Sequence, residues 1–351
     1  MRRLLPLLVL VAGCASSSEL IPAAWSTVPA AGRIRSVALD AEGKVSQPPL
    51  RPLREGAIRV EGNRLFNGDK PITEPFTAID SFDFSESRQE VIFSARRDAS
   101  FDIGLVASDG SATNWIPADP ADEVRVAWAP RGNKVSYFVR APLGDVVRTF
   151  HIPTSFQYAL PFGAATLYGL GWDPPAERFA VAYSSIEASD RVEVMRYDGT
   201  DRRMAIPAQQ TIAADLLPFA AHTLALRPHD PVYSEKFPVV VWVADRFEWS
   251  DARAALMRNA RVALLVTTRP PGEELWKAVR ETPWLDASRL FVVGAVAREG
   301  TSIVADPAVP AGRSRRTGNV VAVSPAAIQS FAAGFIADQW KRTSVTNGST
   351  R

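Results

Sequence analysis

The residues best suited to covalent or metal chemistry in this chain are its one cysteine, Cys14, and its three histidines, His151, His222 and His229. A single cysteine excludes an intramolecular disulfide and any zinc site built from several thiolates. His222 and His229, with Asp230, form a possible metal pair, but two solvated loop histidines are the favoured interpretation. We therefore predict neither a metal site nor a cofactor.

Cys14 lies at the end of a secretory signal. Residues 1–3 carry two arginines, residues 4–11 are apolar, and small residues precede the cysteine. Val11-Ala12-Gly13-Cys14 resembles the bacterial lipobox, in which the cysteine is lipidated and becomes the mature N-terminus. Ala15, rather than Asp, follows the cysteine, which resembles the outer-membrane sorting pattern. An ordinary signal peptide with a chance cysteine at its cleavage site is the alternative.

The charge balance argues against nucleic-acid binding. The chain has 40 Lys plus Arg and 38 Asp plus Glu, so loss of Arg2 and Arg3 with residues 1–13 leaves 38 of each sign. A nucleic-acid binder needs a basic face. Residues 14–32 are rich in Ser, Pro and Ala and are predicted to form a lipidated tether. The remaining length predicts two domains.

A repeat of about 44 residues organises the segment of residues 33–210. Its aromatic anchors are Phe84, Trp128 and Trp172, spaced 44 and 44 residues apart. Each anchor ends an alternating strand, a polar turn follows, and a second apolar strand begins at a charged residue. A fainter copy begins near Leu39, and its second half contains a predicted hairpin at Asn67-Gly68.

This period, with several short strands in each unit, is typical of β-propeller blades. The units resemble the propeller repeats of TolB-type periplasmic proteins and of the prolyl oligopeptidase family. We predict a partial or small propeller of about four blades. A β-sandwich with evenly spaced strands is the alternative.

Residues 211–345 change to strands that alternate with helices, which predicts a parallel sheet with crossover helices. Residues 346–351 are assigned to a polar tail. The helices are predicted at residues 251–259, 273–281 and 326–341, and the strands at residues 237–243, 262–266, 289–294 and 318–323. This order resembles the α/β-hydrolase domain of the prolyl oligopeptidase family over residues 224–333. The predicted fold class is therefore β plus α/β, a small propeller followed by a truncated α/β-hydrolase-like domain.

The resemblance implies a serine nucleophile in a GxSxG turn after a strand, but this chain places Val296 there, in Gly294-Ala295-Val296-Ala297-Arg298. The glycines of the family's oxyanion loop are replaced in residues 244–247. The family's base histidine follows the nucleophile, and no histidine follows His229. We therefore predict a pseudohydrolase with no catalytic residues.

Other polar and aromatic residues are weaker candidates. Ser302 and Ser324 lack a downstream histidine, and residues 161–164 lack the lysine and glycine spacing of a phosphate loop. Four acidic residues could bind calcium, but solvated turns are the favoured interpretation for Asp80, Asp83, Asp98 and Asp102. Three tryptophans could contact a ligand, but core packing is the favoured role for Trp115, Trp249 and Trp284.

These inferences predict a non-catalytic envelope lipoprotein, anchored through Cys14 in the outer membrane and facing the periplasm. It would act as a binding or scaffold module for an envelope protein or peptide. A divergent serine hydrolase of the prolyl oligopeptidase type with another nucleophile is the first alternative. A relic with little function is the second.

Overall fold

A computed structural model describes residues 37–47, 54–55, 57–229, 236–297, 300–311 and 313–348. The predicted signal sequence, Cys14 and the predicted tether lie outside these residues. The chain divides into two compact units, the first ending at Gln209, with Ile186–Ala188 and the residues from Gln210 onward in the second. No helix in the described ranges has the length and apolar character needed to cross a membrane.

The first unit contains a two-stranded hairpin and four antiparallel sheets of four strands each, every sheet built from consecutive strands. The hairpin is β1 (Ala38–Leu39) and β2 (Val45–Ser46). The four sheets are β3 (Arg54–Glu55), β4 (Ile58–Glu61), β5 (Arg64–Asn67) and β6 (Lys70–Pro71); β7 (Ile79–Ser85), β8 (Glu90–Arg96), β9 (Phe101–Ala107) and β10 (Thr113–Trp115); β11 (Glu123–Trp128), β12 (Lys134–Val139), β13 (Val146–His151) and β14 (Phe156–Pro161); and β15 (Ala165–Trp172), β16 (Arg178–Ser185), β17 (Arg191–Arg196) and β18 (Arg203–Ile206).

The predicted repeat is confirmed at the level of its strands. Phe84, Trp128 and Trp172 lie at or next to the ends of β7, β11 and β15, and the next strands begin at the predicted residues Glu90, Lys134 and Arg178. These second strands are interior to their sheets and almost wholly buried, which explains their continuous apolar runs.

The weakest repeat was predicted less well. Ala38–Leu39 does not join the sheet of β3 to β6 but pairs with Val45–Ser46. The predicted hairpin contains an additional turn at Gly62-Asn63, where both residues have positive φ (56° and 58°). Asn67-Gly68 marks the following turn, between β5 and β6.

Each of the four sheets is open, because its first and last strands pair with only one described strand. The closed propeller ring therefore stays a prediction. Adjacent sheets are instead joined by side chains that bind free strand edges. The Asp80 Oδ2, Ser81 Oγ and Asp83 Oδ2 atoms on β7 accept hydrogen bonds of 2.9, 3.2 and 2.7 Å from backbone N–H groups of the edge strand β11.

The N-terminal hairpin packs on the last of the four sheets. Val37 and Leu39 share an apolar cluster with residues of β16 and β17. Gly171 on β15 allows this approach, because a Cβ at that position would collide with the Val37 carbonyl.

The second unit is an eight-stranded mixed sheet in the order β19-β20-β22-β21-β23-β24-β26-β25. Five central strands, β22, β21, β23, β24 and β26, are parallel, and the outer strands are antiparallel. The elements are β19 (Ala214–Ala220), β20 (Thr223–Pro228), β21 (Phe237–Val243), α1 (Asp251–Asn259), β22 (Ala263–Thr267), α2 (Glu273–Glu281), β23 (Leu285–Val293), β24 (Thr301–Ala305), β25 (Ser314–Thr317), β26 (Val320–Val323) and α3 (Ile328–Gly348).

The helices α1 and α2 have the predicted bounds. Ser250 caps α1 by accepting a hydrogen bond from the Arg253 N–H. Helix α3 continues to Gly348, past the predicted end at residue 341 and into the segment predicted as a polar tail. Strands β24 and β25 were not predicted.

The connection from β23 to β24 is unusually short for parallel strands. It consists of residues 294–300, and its described residues contain no helix. Parallel neighbours usually need a crossover of about a dozen residues or more. The short link is possible because only Phe291–Val293, at the end of β23, pair with β24.

Candidate functional site

The carboxyl ends of the five parallel strands define the candidate site, because open α/β sheets bind ligands at this edge. Residues 244–250, 268–272, 294–300 and 306–313 and Ser324 follow these strand ends. Each sequence candidate in this unit can therefore be assigned to the carboxyl edge or to the opposite, amino edge.

Val296 lies in the link after β23 and is 68% exposed. A nucleophile elbow is a sharp turn from a strand into a helix. Here the link leads directly into β24. Its backbone is held by the Ala297 N–H, which donates a 3.0 Å hydrogen bond to Ser302 Oγ. Ser302 is fully buried and occupied in holding this link.

Residues 244–250 follow β21, and residues 244–247 of this loop are the ones predicted to match the family's oxyanion loop. The Ala244 N–H donates to the Thr267 carbonyl at 2.9 Å, and Phe247 and Trp249 are buried. Arg253, on α1, is buried, donates to the Glu248 carbonyl and lies 6.0 Å from the Trp242 ring. The loop is therefore anchored by packing and by a buried cation.

Ser324 follows β26 at the same edge and precedes a 3-10 turn, Pro325–Ala327. The residue is 6% exposed, and its hydroxyl has no hydrogen-bond partner among the described residues. The Asp306 N–H donates to the Val323 carbonyl at 2.8 Å, so an ionisable residue lies beside this strand end.

The two histidines of this unit lie at opposite edges of the sheet. His222 is in the β19–β20 turn, and its carbonyl accepts a hydrogen bond from the Thr268 N–H at the carboxyl edge. His229 follows the other end of β20, about 23 Å away at 3.3 Å per residue. Asp230 lies outside the described residues. This separation rules out a metal ion shared by His222 and His229.

Neither histidine is beside a candidate nucleophile. His222 is three strand spacings from β23 and five from β26, or about 14 and 24 Å. His229 Nδ1 lies 3.1 Å from Asp215 Oδ1, at the amino edge. Arg227 also binds this carboxylate and holds the pKa of Asp215 below its usual value. Neither of these two histidines therefore lies where it could complete a Ser-His-Asp triad with Ser302 or Ser324.

The acidic residues of the first unit do not form a metal site. Asp80 and Asp83 bind the edge of β11, Asp102 is buried 4.0 Å from Arg97, and Asp98 is exposed. No group of three or more His, Cys, Asp or Glu with metal-binding geometry occurs in the described ranges. These edge contacts were missed because the sequence does not reveal which strand lies opposite an aspartate.

The three candidate tryptophans take part in packing. Trp115 makes edge contacts with Phe93 and Phe76 at 5.4 and 5.9 Å. Trp249 donates to Asp251 Oδ1 at 2.8 Å. Trp284 lies 6.4 Å from the Phe219 ring. In residues 161–164, Phe162 packs on Tyr183 at 5.0 Å.

Comparison with known proteins gives no matching family model and no matching curated protein. Solved structures do match. A puromycin-hydrolyzing peptidase of Mycobacterium tuberculosis superimposes with a TM-score of 0.51 at 8% identity, covering 69% of this chain and 47% of that one. The acylaminoacyl peptidase of Pyrococcus horikoshii gives 0.51 at 12% identity, covering 69% and 46%.

An acylaminoacyl peptidase in complex with Z-Gly-Gly-Phe-chloromethyl ketone gives a TM-score of 0.52 at 10% identity, covering 68% of this chain and 46% of that one. The chain shares its partial fold with these peptidases. It spans about half the length of these peptidases. At these identities the likeness establishes the fold.

The prediction that the chain is not an enzyme is wrong. Peptidases share its partial fold, so the loss of one family motif does not establish a non-catalytic role. The prediction relied on Val296 and on the order of the histidines. Those residues show that one family motif has changed, and a motif at one strand end does not decide the chemistry of the whole sheet edge.

Proposed function

We propose that this chain is a peptide hydrolase related to the prolyl oligopeptidase type, with its peptide site at the carboxyl edge of the mixed sheet. The observation that carries the proposal is the strand order of the second unit, five parallel strands flanked by antiparallel ones, in a fold shared with peptidases.

We assign the nucleophile to Ser324. It lies between a parallel strand and a helical turn at the carboxyl edge, and its hydroxyl is free of hydrogen bonds within the described chain. Ser302 is a poorer candidate because its hydroxyl accepts the Ala297 N–H. Since Ser324 is 6% exposed, substrate can reach its hydroxyl only after a local movement that uncovers it.

Turnover of a mixed library of fluorogenic peptides, with free and acylated N-termini, tests this function. We expect S324A to abolish turnover and fluorophosphonate labelling. The matched control is H229A, at the amino edge, which should leave both unchanged. S302A distinguishes the roles of the two serines. It should weaken the link between β23 and β24, but the chain should still be labelled by the fluorophosphonate.

Absence of both turnover and saturable peptide binding in the wild-type chain would overturn the proposal. Binding without turnover would support the peptide site and overturn hydrolysis. Loss of labelling in H229A but not in S324A would move the chemistry to the amino edge.

For the first unit, we propose that the four sheets are blades of a small propeller. The regular succession of four-stranded sheets and the contact of the β1–β2 hairpin with the last sheet support this arrangement. Small-angle scattering of the purified chain tests it. A ring should give a compact profile, and an extended one would contradict it.

We also propose lipidation of Cys14 and attachment to the outer membrane, facing the periplasm and an envelope peptide or protein partner. The lipobox-like sequence of residues 11–14 supports the anchor. Labelling with a palmitate analogue and membrane fractionation should show incorporation that is lost in C14S. Equal incorporation in C14S would contradict this site.

A further inference from the structure

Glu123 is a fully buried carboxylic acid at the start of β11. Its backbone carbonyl accepts a 2.6 Å hydrogen bond from Ser94 Oγ on β8. Neither of its carboxyl oxygens has a hydrogen-bond partner among the described residues. The carboxyl therefore lies between two neighbouring sheets, β7–β10 and β11–β14, where burial disfavours its ionised form.

The charged groups around Glu123 do not compensate its burial. Arg148 on β13 favours the anion, whereas Asp102 on β9 and Asp119, before β11, oppose it. The Arg148 guanidinium is engaged by the Asp119 carboxylate and by Gln157 Oε1. The backbone N–H of Ile103 faces the carboxyl and weakly favours the anion. Burial is the largest effect, and it raises the pKa of Glu123 to about 7.

Tyr137 on β12 is the remaining titratable group beside Glu123. Its hydroxyl accepts a 2.5 Å hydrogen bond from Gln157 Nε2. Burial raises its pKa, and the nearby Glu123 raises it further. Tyr137 therefore stays neutral at physiological pH, and Glu123 is the group of this cluster that changes charge near neutrality.

We propose that Glu123 is a pH-dependent switch at the interface between these two sheets. Its protonated form stabilises the packing of the two sheets against each other, and its ionised form weakens that packing. Because the pKa of Glu123 is higher in the folded chain than in the unfolded chain, the folded state binds more protons. Stability of the first unit is then highest at low pH, falls as pH rises from about 4.5 to about 7, and levels off above that.

The test uses the mature full-length chain and measures urea unfolding at pH 5.5 and pH 8.5. We expect the unfolding equilibrium constant of the wild type to rise by about thirtyfold between these pH values. E123Q, which is neutral at both, should lose most of this change. The matched control is E86Q, an exposed glutamate in the β7–β8 turn, which should behave as the wild type.

Hydrogen exchange locates the effect. After correction for intrinsic exchange rates, protection in β9 and β11 should fall between pH 5.5 and 8.5 in the wild type, while β16 and β17 stay protected. An equal loss of protection from hydrogen exchange across all four sheets would overturn the proposal of a local switch. The same pH dependence in E123Q and wild type would overturn the role of Glu123.

A titration of the wild-type chain keeps the proposal testable if E123Q does not fold. With 13C-labelled glutamate carboxyls, one resonance should titrate near pH 7, whereas ordinary glutamates titrate near pH 4.3. A chain in which every glutamate carboxyl titrates below pH 6 would exclude the switch. This readout is independent of peptide turnover.

Discussion

Asp83 Oδ2 accepts a 2.7 Å hydrogen bond from the backbone N–H of Trp128, 45 residues later in the chain. Asp83 Oδ1 also accepts the N–H of its neighbour, Phe84, at 2.9 Å. One carboxylate thus binds its own strand and the unpaired edge of the next sheet. An exposed strand edge is a site for aggregation, and this contact covers it.

D83A removes the acceptor for the Trp128 N–H and should destabilise the first unit by about 1–3 kcal/mol. Urea unfolding measures this change. D98A is the matched control, because Asp98 is exposed, and it should change stability by less than about 0.5 kcal/mol. Equal effects of the two variants would contradict the edge-binding role.

G171A places a methyl group against the Val37 carbonyl and should destabilise the docked β1–β2 hairpin by about 1–3 kcal/mol. Limited proteolysis within residues 37–47 should accelerate in this variant. G334A provides a control of opposite sign. Gly334 lies in α3 with open space around it, so alanine should stabilise by about 0.5–1 kcal/mol.

G104A drives a methyl group into the Phe93 ring and should destabilise by about 1–3 kcal/mol. F93L shortens that side chain, so it should partly relieve the collision. In a double-mutant cycle we expect the combined loss to be smaller than the sum by about 1 kcal/mol. Strict additivity would show that the two residues do not constrain each other.

S250A removes the cap of α1 and should destabilise the second unit by about 1 kcal/mol. Ser250 Oγ also donates to Gln329 Oε1 on α3 at 3.1 Å. S250D keeps the cap but loses this donor, so thermal unfolding of both variants separates the two contributions. If S250D loses as much as S250A, the contact with Gln329 is the larger contribution.

Local patterns were sufficient to predict many of the elements, although not β24 and β25. The alternation of strand and helix patterns predicted α1 with its observed bounds, and the 44-residue repeat predicted the first residues of β8, β12 and β16. These features depend on residues close together in sequence, so the sequence contains the information directly.

Long-range relationships could not be predicted in the same way. Asp80 and Asp83 resembled solvated turn residues until β11 was found beside them. Glu123 lies in an alternating strand whose pattern does not show what covers the carboxyl. At the candidate site, the sequence assigned Val296 to the family's nucleophile position, and this assignment stays a prediction. It could not show that His222 and His229 lie at opposite edges, because that depends on the antiparallel direction of β20.

The contact between Gly171 and Val37 also imposes an order on synthesis. The hairpin of residues 38–46 leaves the ribosome early, but its docking surface on β15 to β17 is complete only after Arg196 has been made. Until then its apolar residues, Val37 and Leu39, have no native partner on that sheet. This segment is therefore open to aggregation while more than a hundred further residues are synthesised.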